Sequence, residues 1–158
     1  AQGFHFLVTE RADHLPAAEQ AARNYGVFSA RFGNVYTARQ LRQLQAMALG
    51  VQPEPPGLVW QRSDGRWVDG LRPYIEPEGF ASPAEVQTSR RTMLACVSDM
   101  LQGCDVLVFT LGLTEAWHRR TDGAVVPIAP GVVAPAAHTD PPSGRLASAH
   151  ARHPCQRR

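Results

Sequence analysis

Apolar residues fall into three kinds of pattern along the chain, and each predicts a different element. Val106, Leu107, Val108 and Phe109 follow one another with no polar residue between them. A run of that kind predicts a strand buried on both faces, as in a parallel sheet covered by helices. It ends in Thr110-Leu111-Gly112-Leu113-Thr114-Glu115, where small, hydroxyl and acidic groups crowd together. A second apolar run, Phe4 to Val8, follows Gly3, which suits the position just past a helix end, and predicts another strand. Helical spacing appears twice. Thr37 is a good N-cap with Gln40 three residues on, and Leu41, Leu44, Met47 and Ala48 form a stripe before Gly50 and Pro53. Ser82-Pro83-Ala84-Glu85 combines an N-cap, a proline at the first helical position and an acid at the third. Val86, Met93, Leu94, Val97 and Leu101 carry that helix to Gly103.

Between the helices, Leu58-Val59-Trp60 and Arg66-Trp67-Val68 flank a Ser-Asp-Gly turn signal and predict a small hairpin. Residues 24 to 36 and 71 to 80 are punctuated by glycine or proline and predict loops. A helix feeding directly into a buried strand is the repeating unit of an α/β sheet. In open α/β sheets, ligands bind just beyond the carboxyl ends of the strands. The pattern therefore puts Gly112, Thr114 and Glu115 at a ligand edge.

Composition narrows this in a few ways. The 158 residues suffice for one domain with a real core. The net charge is only +2, and all 16 basic residues are arginines scattered along the chain, which predicts no nucleic-acid partner. No run approaches the ~20 apolar residues of a membrane helix. Nothing at the start reads as a signal peptide, so a cytoplasmic protein without membrane association is expected. Cys96, Cys104 and Cys155 show no paired spacing, and the six histidines form no HxxxH arrangement, so no metal is expected. One glycine after the Val106 run is too few for a dinucleotide or phosphate loop, so no cofactor is expected. From Val133 onward only Leu146 is large and apolar, so residues 132–158 are expected to form a disordered tail, natural or read in a shifted frame.

Three blocks carry a resemblance: NYGVFSARFGNVYTARQL, DGRWVDGLRPYIEPEGFAS and DVLVFTLGLTEAW. Together they resemble the GSCFA domain family, itself similar to the SGNH (GDSL-type) hydrolases, over roughly residues 4 to 131. The Gly-Ser-Cys-Phe-Ala motif that names the family is absent from these 158 residues. The resemblance implies a partial SGNH-like (flavodoxin-like) α/β three-layer fold with a parallel sheet plus the hairpin, residues 1–131 forming a partial GSCFA domain. It implies an ester-hydrolase type of site, with a small-molecule or carbohydrate ester as ligand. Such enzymes use a serine, a histidine base, and glycine and asparagine oxyanion donors. Gly33 resembles the glycine of the second block and Asn34 offers a donor beside it. Gly112, Thr114 and Glu115 stand where the third block reads GxND, with Thr114 at the asparagine position.

Plainer roles account for the same residues. Gly33 suits a tight loop turn, Thr114 suits a cap on a short helix starting at Glu115, and Glu115 suits a first-turn acid. Trp60, Trp67 and Trp117 read as core or rim packing. Ser29, Ser63, Ser82 and Ser89 are explicable as loop, turn, cap and helix-surface residues, and none sits in a GxSxG elbow. The implied nucleophile and base are thus missing, and the alternatives are a non-catalytic glycan-binding or accessory domain, or an inactive gene fragment.

Overall fold

The computed structural model describes residues 3–110, 112–113, 115–129 and 132–133, and the backbone of 145–146. Two helices form its centre. After a one-and-a-half-turn helix α1 (Ala17–Ala22) comes α2 (Ala38–Ala48), a hairpin of β1 (Val59–Gln61) and β2 (Trp67–Asp69), and the long α3 (Pro83–Gly103). Then follow β3 (Ala116–His118), β4 (Val125–Val126) and β5 (Arg145–Leu146).

Both long helices begin where their caps predict. Thr37 Oγ1 accepts from the Gln40 N–H at 3.2 Å, and Gln40 Oε1 reaches back to the Tyr36 N–H at 3.0 Å. Ser82 Oγ accepts from the Glu85 N–H, and the Glu85 carboxylate accepts from the Ala81 N–H. In each case the reciprocal bond lands one residue before the N-cap, a displaced capping box that still satisfies two orphan donors. The hairpin is also present, Trp60 opposite Val68, with Trp67 bridged to Phe80 on its other side.

Burial follows two clusters. Leu44 and Met47 of α2 pack with Met93, Leu94, Val97 and Met100 of α3 and with Ala30 from the preceding loop. Leu58, Trp60 and Val68 of the hairpin pack with Ala124 and Val126. Trp60 is 1% exposed and is the largest fully buried side chain.

The three-layer, flavodoxin-like fold does not appear. The strands form a two-stranded sheet, β1-β2, and a separate sheet of order β4-β3-β5, and every pairing is antiparallel. Among the described residues no parallel sheet exists. The reason lies in the two apolar runs on which that expectation rested. Residues 3–8 and 105–110 belong to no strand, and Asp105 lies in a bend. Phe4 is 97% exposed and Val108 85% exposed, with Phe6, Val106 and Leu107 also in solvent. Leu7 alone of the first run packs onto the α2–α3 core. An apolar run codes for burial but supplies no partner strand, and here neither run meets one. The expected tail lies almost wholly outside the described residues, as do Cys155 and the histidines His138, His150 and His153; Cys96 and Cys104 are half-buried free thiols.

A set of buried charges replaces part of the apolar core. Asp69, at the end of β2, receives bonds from Arg72 Nε at 2.8 Å and Arg90 Nη2 at 2.6 Å. All three side chains are within a few per cent of full burial. Burial alone would push the Asp69 carboxyl up, but the charges and hydrogen bonds of Arg90 and Arg72 outweigh it and hold the group below its ordinary value. Arg72 continues to the Arg31 carbonyl and Ser89, and Arg90 to the Leu58 carbonyl. Arg31 in turn pairs with Glu76 and Glu10 and stacks on the Tyr25 ring. The network ties the loop before α2 to the hairpin and to α3.

Candidate functional site

The loop carrying Gly33 and Asn34 is fixed from below by this network. The Arg31 backbone N–H donates to Glu10, and its carbonyl accepts from Arg72. Gly33 itself has φ of +73°, and a Cβ there would lie 3.1 Å from Arg72 Cβ. Both the backbone and the packing therefore demand glycine, which accounts for Gly33 without any ligand. Asn34 is exposed, and its side chain makes no hydrogen bond to another described residue.

The segment after α3 returns to this loop. The Leu113 N–H donates to the Tyr36 carbonyl at 2.9 Å, and Gly112 lies against the same carbonyl. Glu115 follows, exposed, and leads into strand β3 rather than a helix, so it is no first-turn acid and no helix begins there for Thr114 to cap. Thr114 itself lies outside the described residues. β3 is anchored by β4, and β4 is held to α2 by Gln43, whose amide exchanges two bonds with the Val125 backbone at 2.7 and 2.9 Å. Gln43 thus stands in for a neighbouring strand. At the β3–β4 turn, Arg119 binds Asp122 and the Pro56 carbonyl, and the Arg119 hydrogen bond holds the Asp122 carboxyl below its usual range.

Two cavities adjoin at Tyr36 and Pro127, which line both. The first, about 310 Å³, is lined by Gln40, Leu113, Glu115, Trp117 and Val126 as well. Gln40 Oε1 is engaged by the Tyr36 N–H, which leaves the amide NH₂ as the donor for this chamber. The second, about 210 Å³, holds Gly33 and Asn34 at one side and Phe28, Tyr74, Ile75 and Ile128 around the rest. The sequence blocks thus come near one another: Gly33 and Asn34 line one chamber, Glu115 the other, and Gly112 lies beside the Tyr36 carbonyl. Gly112 is not at the end of a buried strand, so the strand-end geometry is replaced by a loop-on-loop contact.

Pattern reading overlooked Tyr36, Gln40 and Pro127. Tyr36 and Gln40 flank a cap that is visible in the sequence, but their facing a cavity is not. Elsewhere the serines have structural work: Ser82 caps α3, Ser89 accepts from Arg72, and Ser98 accepts from Gln102. Among the described residues no serine hydroxyl is hydrogen-bonded to a histidine, and no group of three His, Cys, Asp or Glu side chains is placed to hold a metal. No described helix is long and apolar enough to cross a membrane.

Fold and site together define a small mixed domain, helices and an antiparallel hairpin around a two-chambered cleft. The GSCFA family model matches residues 12–142, and the chain belongs to the GSCFA family. Comparison with curated proteins and with solved structures finds no match.

Proposed function

We propose that the cleft around Tyr36 is the ligand-holding part of an SGNH-like ester-hydrolase site, and that on this chain it binds a carbohydrate ester without cleaving it. The observation that carries the reading is the Leu113-to-Tyr36 contact. It unites two segments that resemble the second and third blocks of such hydrolases, about a helix, a hairpin and a second helix apart in the chain. The donors at hand suit a neutral polar ligand: the Asn34 amide and the Gln40 NH₂, beside Tyr36 and Trp117. An oxyanion needs fixed donors, each contributing about 3–4 kcal/mol to the transition state when present. Serine also needs an adjacent base before it becomes a useful nucleophile. The engagement of Ser82, Ser89 and Ser98 in caps and hydrogen bonds supports binding over turnover.

Two measurements test this. Titration calorimetry with an acetylated glucoside should give saturable binding that weakens when Gln40 or Trp117 is replaced by alanine. A fluorophosphonate probe should leave the chain unlabelled. Covalent labelling of any serine would show that the chain is a working hydrolase, and absence of saccharide binding would remove the carbohydrate-ester assignment.

A further inference from the structure

The two chambers differ in chemistry, and the difference specifies the ligand more closely. Polar and aromatic groups mix in the first: Tyr36, Gln40, Glu115 and Trp117. The second is walled mainly by apolar side chains: Val27, Phe28, Ile75, Pro127 and Ile128, with the Tyr74 ring. Val27 is 56% exposed and Tyr74 55% exposed, so large apolar surface stands open at a cavity rather than being scattered singly over the surface. The one charged residue on that wall, Arg72, is fully buried and spent on Asp69, the Arg31 carbonyl and Ser89. Three of its five N–H donors are committed there, and its charge is paired with Asp69. Asn34 is the one side-chain amide at the second chamber whose polar atoms are unbound to described residues.

We propose that the second chamber takes the acyl chain of the ligand, so that the site is built for a neutral ester of a short or medium fatty acid, longer than acetyl. The inference rests on the reading of the cleft as a carbohydrate-ester site and assigns its two halves. The sugar lies against Tyr36, Gln40 and Trp117, the chain lies among Val27, Phe28 and Ile128, and the ester group lies at the join formed by Tyr36 and Pro127. A free fatty acid fits less well, because the one cation on the wall is already paired with Asp69. At 210 Å³ the chamber is smaller than pockets that enclose whole drug-sized molecules, which suits one unbranched chain.

The test is calorimetry on the full chain with a series of methyl glucosides carrying an acetyl, butyryl, hexanoyl or octanoyl ester, each below its micellar concentration, and with octanol and octanoate alone. Affinity should rise up to about fourfold per added methylene, the factor equivalent to ~0.8 kcal/mol, until the chamber is full. Val27→Ser, at an exposed position, should flatten that rise. Equal binding of acetyl and octanoyl esters would overturn the acyl chamber and leave the carbohydrate-ester reading standing. Binding of octanol with no binding of any glucoside would do the reverse. A chain-length dependence that survives Val27→Ser would move the chain out of this chamber, and octanoate binding more tightly than the octanoyl ester would exclude a neutral ester as the ligand.

Discussion

The centre of this molecule and its two outlying apolar runs invert the usual arrangement of polar and apolar residues. Around β2 and α3, Arg31, Asp69, Arg72 and Arg90 are buried, each with specific partners. In the two apolar runs, Phe4, Phe6, Val106, Leu107 and Val108 stand in solvent. Burial is thus decided here by available partners and not by side-chain type. A guanidinium finds a carboxylate and two carbonyls and goes inside. A valine run finds no neighbouring strand and stays out. The contrast predicts that polar substitutions inside will be costly and apolar ones outside cheap.

The largest effect belongs to Asp69. Removing it leaves Arg72 and Arg90 buried without their shared counter-charge, and breaking a buried ion pair costs about 3–5 kcal/mol. Asp69→Ala should therefore lose most of the folding stability in a urea titration at pH 7. A change under 1 kcal/mol would mean that water reaches the cluster and the burial contrast is overstated. Acid tests the same group with its partners intact. The Asp69 carboxyl lies below its ordinary value in the folded state, so its contribution is full above the unfolded-state value near 3.9. It is lost as pH falls through the lower folded value, because the unfolded chain then binds the proton more readily. Stability should decline steeply below about pH 4, and the Asp69→Ala variant should show a shallower decline.

Gln43 comes next. Its amide satisfies both the N–H and the carbonyl of Val125, two backbone groups that a strand would otherwise pair. Gln43→Leu keeps the volume and leaves both groups buried and unpaired, at about 1–3 kcal/mol. Thermal unfolding should show the loss. The same variant should also slacken β4, and with it β3, so binding at the Trp117 chamber should weaken more than binding at the acyl chamber. Equal weakening at both would show that the chambers move as one body.

Much of the helical core was legible because its signals are local. Thr37 with Gln40 and Ser82-Pro83-Ala84-Glu85 each place a helix start within one turn of chain, and the structure has α2 and α3 starting there. The Ser-Asp-Gly turn likewise located the hairpin. What stayed hidden depends on distant partners. Arg90 interrupts the apolar stripe of α3 one turn after Val86, and its burial depends on distant partners, Asp69 and the Leu58 carbonyl. Gln43 reads as a surface residue until Val125 is placed beside it. The Val106 run failed for the complementary reason: its composition specifies an environment, and its neighbours do not provide one. The candidate site was legible as a set of blocks, Gly33-Asn34 and Gly112 to Glu115. Its walls, formed by Tyr36, Gln40 and Pro127, follow from how the loops cross and carry no pattern of their own.

The smallest effect is expected at the exposed runs, and it separates two properties that apolar residues usually share. Val108 contributes little buried surface to the fold, so Val108→Ser should change unfolding free energy by no more than about 0.5 kcal/mol, the usual range for surface positions. Phe4→Ser should behave alike. Neither run forms a ladder with a described strand, so each presents both apolar surface and open backbone groups, the combination that favours strand pairing between molecules. The double variant should therefore leave stability nearly unchanged while raising the concentration at which light scattering first detects association. If instead Val108→Ser destabilises the monomer by 2 kcal/mol or more, roughly the value of a fully buried valine, the segment is packed in solution and the inversion between core and periphery does not hold.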